Sequence, residues 1–350
     1  MLRRTPLIVP LVFRSMFGMS PRVAPTAWTL AEDKAGMLSQ AIGLAEAAGL
    51  RPDIRLLRPR GLCSALTPAL WWSPLTAIDP VALAPPITQV VIGCGGMAGA
   101  VLSALRGQTR TVIVQHPRRN IRNFDLVLAA MHDEVAGPNV IVTRTALHRV
   151  TPARLAAAAR DWAPRFAHLP RPLVAVLIGG SNGRLHLGPA VGETLAQQLA
   201  EMLQRDRVGM IVTPSRRTDR IVRQVLDRTL RPFGAEVWDG VGENPYFGML
   251  ALADAIVVTC DSVSMVSEAV ATHAPVLLVP LPGQSRRNQL FVRPLLDAHR
   301  IRPFAGRLDI WPVEPIDDTP QAAAEMCRRL DLEAPRCCEF EPSTHSAAVT

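Results

Sequence analysis

The sequence predicts an α/β protein of two domains, each a parallel sheet with helices on both faces, the two sheets facing a central cleft. Three observations carry that expectation. Short β-branched runs alternate with amphipathic helical segments along most of the chain, the pattern of strands buried on both faces. The alternation restarts after APRFAHLPRP (163–172), whose three prolines in ten residues read as a linker. Finally, 350 residues are too many for one core at roughly 150 residues per domain.

In the first half, AWTLA is a strand that leads through a loop into the helix MLSQAIGLAEAAGL. QVVIGCGG, TVIVQ, FDLVLAAMHD and NVIVT are further strands, with MAGAVLSALRG the helix after the first of them. Thr151-Pro152 has the chemistry of a cap followed by a first-turn proline, so a helix should run through ARLAAAARDW. In the second half, LVAVLIGG, GMIVT, AEVWD, AIVVT and APVLLVP are strands. VGETLAQQLAEMLQR, TDRIVRQVLDRTL, PYFGMLALAD and a helix beginning at Asp261-Ser262 lie between them, and QLFVRPLLDAH follows. The expected divisions are an extension over 1–25, domains over 26–165 and 166–310, a helical segment over 311–330 and a tail over 331–350.

A formal charge of +8 invites a nucleic-acid reading. Its distribution argues against one: Lys34 is the only lysine, the other 37 cations are scattered arginines, and aromatics make up 5%. Attraction to phosphorylated substrates or anionic lipid fits better. The six cysteines form no CxxC pair and have no histidine at zinc spacing, so no metal is expected and free thiols are. Near the start, the apolar run Leu7–Phe13 contains Pro10 and ends at Arg14, too short to span a bilayer.

Several motifs carry chemistry. GCGGMA (93–98) fits GxGxxG/A, but Gln115-His116-Pro117 stands where a dinucleotide fold places its ribose acid, so a tight strand-to-helix turn is expected. GGSNG (179–183) fits the nucleophile elbow, yet Arg184–Gly188 separate it from the next helix. Gly179, Gly180, Ser181 and Asn182 read instead as a loop that lets a ligand approach bare backbone. Ser215, Arg216 and Arg217 end a strand and suit a pyrophosphate. TCDSVSMVSEA (259–269) ends a strand and opens a helix, whose start is a phosphate seat, with Asp261 a helix cap or a nucleotide-sugar contact. Ser264 and Glu268 share a face with Asp261, and Met265 stands where a capping box partner of Glu268 would need Ser or Thr. Glu268, some 10 Å along the axis from the helix start, is at the right distance for a ribose diol. Asn288 and Gln289 open the next helix with groups suited to sugar hydroxyls.

The run from Ala253 to Arg300 resembles the donor half of GT-B glycosyltransferases, above all the peptidoglycan N-acetylglucosaminyltransferases that make lipid II. The resemblance implies a GT-B-like architecture of two Rossmann-like domains, with Glu268 on the ribose and Asn288 and Gln289 on the sugar. NVIVTRTALHRVTP, TPSRRT, NPYFGMLALADAIVVT and DSVSMVSEA, in that order, are similar to the bacterial branch of the elongated-mitochondria, or mitochondrial fission, family from about Trp28 to Leu330. That family opens on a loop like LTDGKAG. Here it reads LAEDKAG, with Glu32 in the aspartate's place and Lys34 retained as a phosphate or acceptor contact.

The combined expectation is a nucleotide-sugar-binding protein without a further cofactor, its substrate UDP-linked and its acceptor lipid-linked or in the cell envelope. Arg216, Arg217 and the helix start at Ser262 would take the leaving diphosphate. Glu32 and His116 are the candidate bases. Trp71 and Trp72 in LTPALWWSPL are candidates to meet lipid or acceptor, or to pack. The expected location is the cytoplasm, peripheral on the inner face of the membrane. A nucleotide-sugar epimerase and a non-catalytic scaffold are the rival classes.

Overall fold

The computed structural model describes residues 24–332, so the sequence expectations for 1–23 and 333–350 lie outside the described residues. The first sheet contains β1 (Thr26–Ala31), β2 (Arg51–Leu56), β3 (Val90–Cys94), β4 (Arg110–Val114), β5 (Leu126–Ala130) and β6 (Val140–Thr143). All its pairings are parallel, in the order β2-β1-β3-β4-β5-β6. Helices α1 (Ala35–Ala47) and α2 (Gly96–Leu105) cover its two faces. Alternation along each strand divides the apolar side chains: Val90, Ile92 and Cys94 pack with α1, while Val91, Ile113 and Val127 pack with α2. The GCGGMA stretch is a packing turn, since a Cβ on Gly93 would lie 2.8 Å from the Ala98 Cβ of α2.

The second sheet contains β7 (Leu173–Ile178), β8 (Gly209–Pro214), β9 (Glu236–Val237), β10 (Ala255–Thr259), β11 (Val276–Val279) and β12 (Ile301–Pro303). It too is all parallel, in the order β12-β11-β10-β7-β8-β9, that of a dinucleotide-type half-and-half sheet. Its helices are α3 (Pro152–Phe166), α4 (Pro189–Asp206), α5 (Arg220–Leu230), α6 (Tyr246–Leu252), α7 (Val263–Val270) and α8 (Arg286–Asp297). Helix starts follow local chemistry: Thr151 accepts from Arg154 N, Asp219 from Ile221 N and Ser285 from Asn288 N. Chain order reverses between β7 and β10, and in open sheets the crevice beside such a reversal is where ligands bind.

The cores do not divide where the prolines suggest. Pro164 falls inside α3, and Trp162 and Phe166 of that helix join the second core, so the chain crosses between cores before α3 rather than within 163–172. Pro164 forgoes its i→i−4 hydrogen bond, and with the helix ending two residues later the disruption is confined to the last turn. The final helix α9 (Thr319–Leu330) crosses back, and its Ala323, Met326 and Cys327 pack into the first core with α1.

Candidate functional site

The carboxyl ends of β7, β8, β10 and β11 bring the predicted donor residues together, and Asp261 is the hub. Its carboxylate, with a side chain fully out of solvent, accepts from Gly180 N at 3.0 Å, Thr259 Oγ1 at 2.7 Å and Arg217 Nη2 at 2.8 Å. Asp261 is therefore not the helix cap. Ser262 takes that role, its Oγ accepting from Met265 N at 3.4 Å. The two glycines are required by this closeness: a Cβ on Gly179 would lie 2.2 Å from Asp261 Oδ1, and one on Gly180 2.2 Å from Arg217 O. Arg217, 45% exposed at the side chain, is thus held by a buried anion beside the open start of α7.

Other predicted donor residues hold the loops in shape. Ser181 Oγ accepts from Leu187 N, and Asn182 Oδ1 accepts from Arg184 N and Leu185 N, each at 2.9 Å. Ser215 Oγ donates to Gly179 O at 2.8 Å, and Asn288 Nδ2 to Cys260 O at 2.5 Å. Met265 is half-buried against the second core, and Gln289 is exposed on the first turn of α8.

Glu268 departs most from expectation. It is 6% exposed, and both carboxylate oxygens are engaged, Oε1 by Ser39 Oγ at 2.7 Å and Oε2 by Tyr246 OH at 2.5 Å. Burial and then the Glu268 carboxylate push the Tyr246 phenol well above its ordinary pKa, so it stays a donor. Ser39 belongs to α1 in the first domain, whose next residue, Gln40, donates to Ser264 Oγ at 3.3 Å. Two protein hydroxyls thus occupy both oxygens of the carboxylate that the sequence reading reserved for a ribose. At the far end of α7, the buried Arg300 donates to the carbonyls of Val270, Thr272 and Ala274. Burial brings its pKa down to about 10, and the charge still completes the helix's carbonyl end.

The rims of the cleft are oppositely charged. On the first domain stand Glu32 and Asp33 after β1 and Asp133 and Glu134 after β5; on the second stand Arg216, Arg217, Arg286 and Arg287. Three ion pairs cross between them: Arg216–Asp33 at 3.1 Å, Arg286–Glu134 at 2.6 Å and Arg287–Asp133 at 2.8 Å. Of the candidate bases, Glu32 is half-buried and paired with Lys34, while His116 is exposed and its Nδ1 accepts from Arg118 N at 2.9 Å. Sequence reasoning missed His132 and Asp133, although a polar pair ending the apolar run LVLAAM was a usable signal. Burial brings His132 down to about 4, so it is a neutral imidazole. Burial, with the Asp133 and Glu32 carboxylates nearby, raises the Cys94 thiol far above its usual range, so it does not form a thiolate.

Two parallel-stranded Rossmann-like domains, with the loops of both meeting at one cleft, define a GT-B fold of the kind found in nucleotide-sugar glycosyltransferases and epimerases. A family model described as mitochondrial fission ELM1 matches residues 35–330, and the chain belongs to that family. It is 32% identical over 273 residues to mitochondrial fission protein ELM1 of Arabidopsis thaliana, covering 69% of this chain but only 64% of that relative's length. It is also 30% identical over 370 residues to the UDP-N-acetylglucosamine–N-acetylmuramyl-(pentapeptide) pyrophosphoryl-undecaprenol N-acetylglucosamine transferase of Saccharopolyspora erythraea, covering 93% of this chain and 90% of that one. Among solved structures, the UDP-GlcNAc 2-epimerase of Methanocaldococcus jannaschii aligns with a TM-score of 0.52 at 11% identity, over 87% of this chain and 99% of that one.

Proposed function

We propose that the cleft binds a UDP-linked sugar and transfers the sugar to a lipid-linked or cell-envelope acceptor. The observation that carries this reading is the Asp261 hub, which spends a buried carboxylate on holding Arg217 and the bare Gly179-Gly180 backbone at the start of α7. A diphosphate there meets free N–H groups, the helix dipole and two arginines, which also suits the charge that develops on a leaving diphosphate. The sugar would then lie toward Asn288 and Gln289, and the ribose toward Glu268 once Ser39 gives way. Similarity to a lipid-substrate N-acetylglucosamine transferase supports the acceptor class. So do the exposed apolar side chains Leu62, Leu70 and Trp72 on one loop region of the first domain, Trp72 being 75% exposed while Trp71 is buried. No helix among the described residues is long and apolar enough to cross a membrane, so contact with a lipid acceptor would be made at the surface.

A second reading, a scaffold that keeps the fold without the chemistry, is favoured by the occupied Glu268. Thermal unfolding with UDP, UDP-sugars and NADP separates the two. The transferase reading expects stabilisation by the uridine ligands alone, and no stabilisation by any nucleotide would leave the scaffold.

A further inference from the structure

Of the ion pairs that cross the cleft, Arg287–Asp133 is the unequal one. The Arg287 side chain is 46% exposed and that of Asp133 only 2%. Asp133 Oδ1 receives the guanidinium, with Arg287 Nε at 2.9 Å. Among the described residues, Asp133 Oδ2 and the neighbouring His132 Nδ1 are buried polar atoms with no hydrogen-bond partner. Leaving a buried carboxylate oxygen without a donor is unfavourable, and folded proteins rarely tolerate it where stability is the sole concern. The surrounding groups do not compete for its role. His132 packs edge-on against Phe291 of α8 with ring centroids 5.2 Å apart, and Cys94 stays a thiol. Asp133 follows the carboxyl end of β5, on the first domain's side of the cleft, and faces the α8 start that also carries Asn288 and Gln289.

We propose that Asp133 is the catalytic base for the acceptor, masked by Arg287 until the donor's diphosphate takes that arginine over; the inference rests on the transferase reading above. In the free protein the acidic rim supplies the counter-ions for Arg216, Arg286 and Arg287. A bound diphosphate offers Arg287 a stronger bidentate partner, which uncovers the carboxylate as the donor arrives. Asp133 Oδ1, vacated by Arg287, then takes the proton of the acceptor hydroxyl. The hydroxyl oxygen forms its bond to the anomeric carbon as the carbon–phosphate-oxygen bond breaks, and the diphosphate leaves with that electron pair.

Asp133→Asn separates the two halves of the proposal. UDP affinity is measured by calorimetry, and UDP release from UDP-N-acetylglucosamine and UDP-glucose is measured with water as acceptor. Freed from its partner, Arg287 should bind UDP about 2- to 5-fold more tightly. Release should fall at least about 100-fold, and Asp133→Glu should restore part of it. If the Asn variant does not fold, Asp133→Ser carries the same expectations. Release by the variant within threefold of wild type overturns the base assignment, as does a wild-type chain that binds UDP but releases none from either sugar. Weaker UDP binding by the variant overturns the masking. A wild-type chain that binds no UDP removes the donor reading itself and the proposal with it.

Discussion

The contact that most constrains the cleft is the one between Glu268 and Ser39, because a ribose and a first-domain hydroxyl would compete for the same carboxylate oxygen. Ser39→Ala deletes the donor to Oε1 and leaves a carboxylate that is 6% exposed with Tyr246 as its remaining side-chain partner. A hydrogen bond to a charged group contributes about 1.5–3 kcal/mol, so a loss near the lower figure is expected, since a small cavity at a half-buried serine can admit water. Glu268→Ala strands the hydroxyls of Ser39 and Tyr246 and empties part of a buried face of α7, for a loss of about 3–4 kcal/mol. Because both variants break the same bond, the double variant should cost about 1–2 kcal/mol less than the sum. Urea unfolding of the four chains measures this directly. The same chains titrated with UDP should show opposite effects, tighter binding for Ser39→Ala and at least tenfold weaker binding for Glu268→Ala. Costs that add within about 0.5 kcal/mol, together with unchanged UDP affinity in both single variants, would refute the reasoning.

Arg300→Ala should be severely destabilising, by about 3 kcal/mol or more, because it strands the buried carbonyls of Val270, Thr272 and Ala274 at the end of α7. An unfolding midpoint within a degree or two of wild type would show that those carbonyls find other partners. Stability should also fall with acid through His132, whose pKa is about 4 when folded against 6.5 in the unfolded chain. The unfolded state binds the extra proton, so the contribution is complete above pH 6.5 and is lost as pH falls toward 4. Asp133 and Arg287 face the ring, the first favouring its charge and the second opposing it. At 1.36 kcal/mol per pH unit, wild type should lose about 2 kcal/mol more than His132→Leu between pH 7 and pH 5. Parallel pH profiles for the two chains would contradict this.

The central strands of both sheets were legible because a parallel strand buried on both faces must be apolar throughout, and LVAVLI, AIVVT and VVIGC are. Strand β2, RPDIRL, was not. It is an edge strand with much of its surface open, so nothing forces its polar residues out. Strand β12 fails for a similar reason: three residues at an edge of the second sheet leave no period to read. That the strand-end loops meet could be read because each motif ends a strand, and strand ends meet by topology. What those side chains touch could not be read. Asp261 looked like a cap from its position alone, and only the fold shows that Gly180 and Arg217 turn its carboxylate inward. Ser39 lies 229 residues from Glu268, and no local pattern links an ordinary helical serine to an acid that far along the chain. Arg300, one of two arginines in HRIRP, gave no sign that it would be the one buried among carbonyls.

The central claim is that the second domain's strand ends form a diphosphate site organised by Asp261. Calorimetric titration of UDP into the wild-type chain and into Arg217→Ala tests it most directly. Loss of one partly exposed arginine from a diphosphate should weaken UDP at least tenfold, about 1.4 kcal/mol or more, and the unfolding midpoint should also fall because the buried Asp261 loses its cation. UDP binding that is absent from wild type, or equally tight in both chains, would contradict the account.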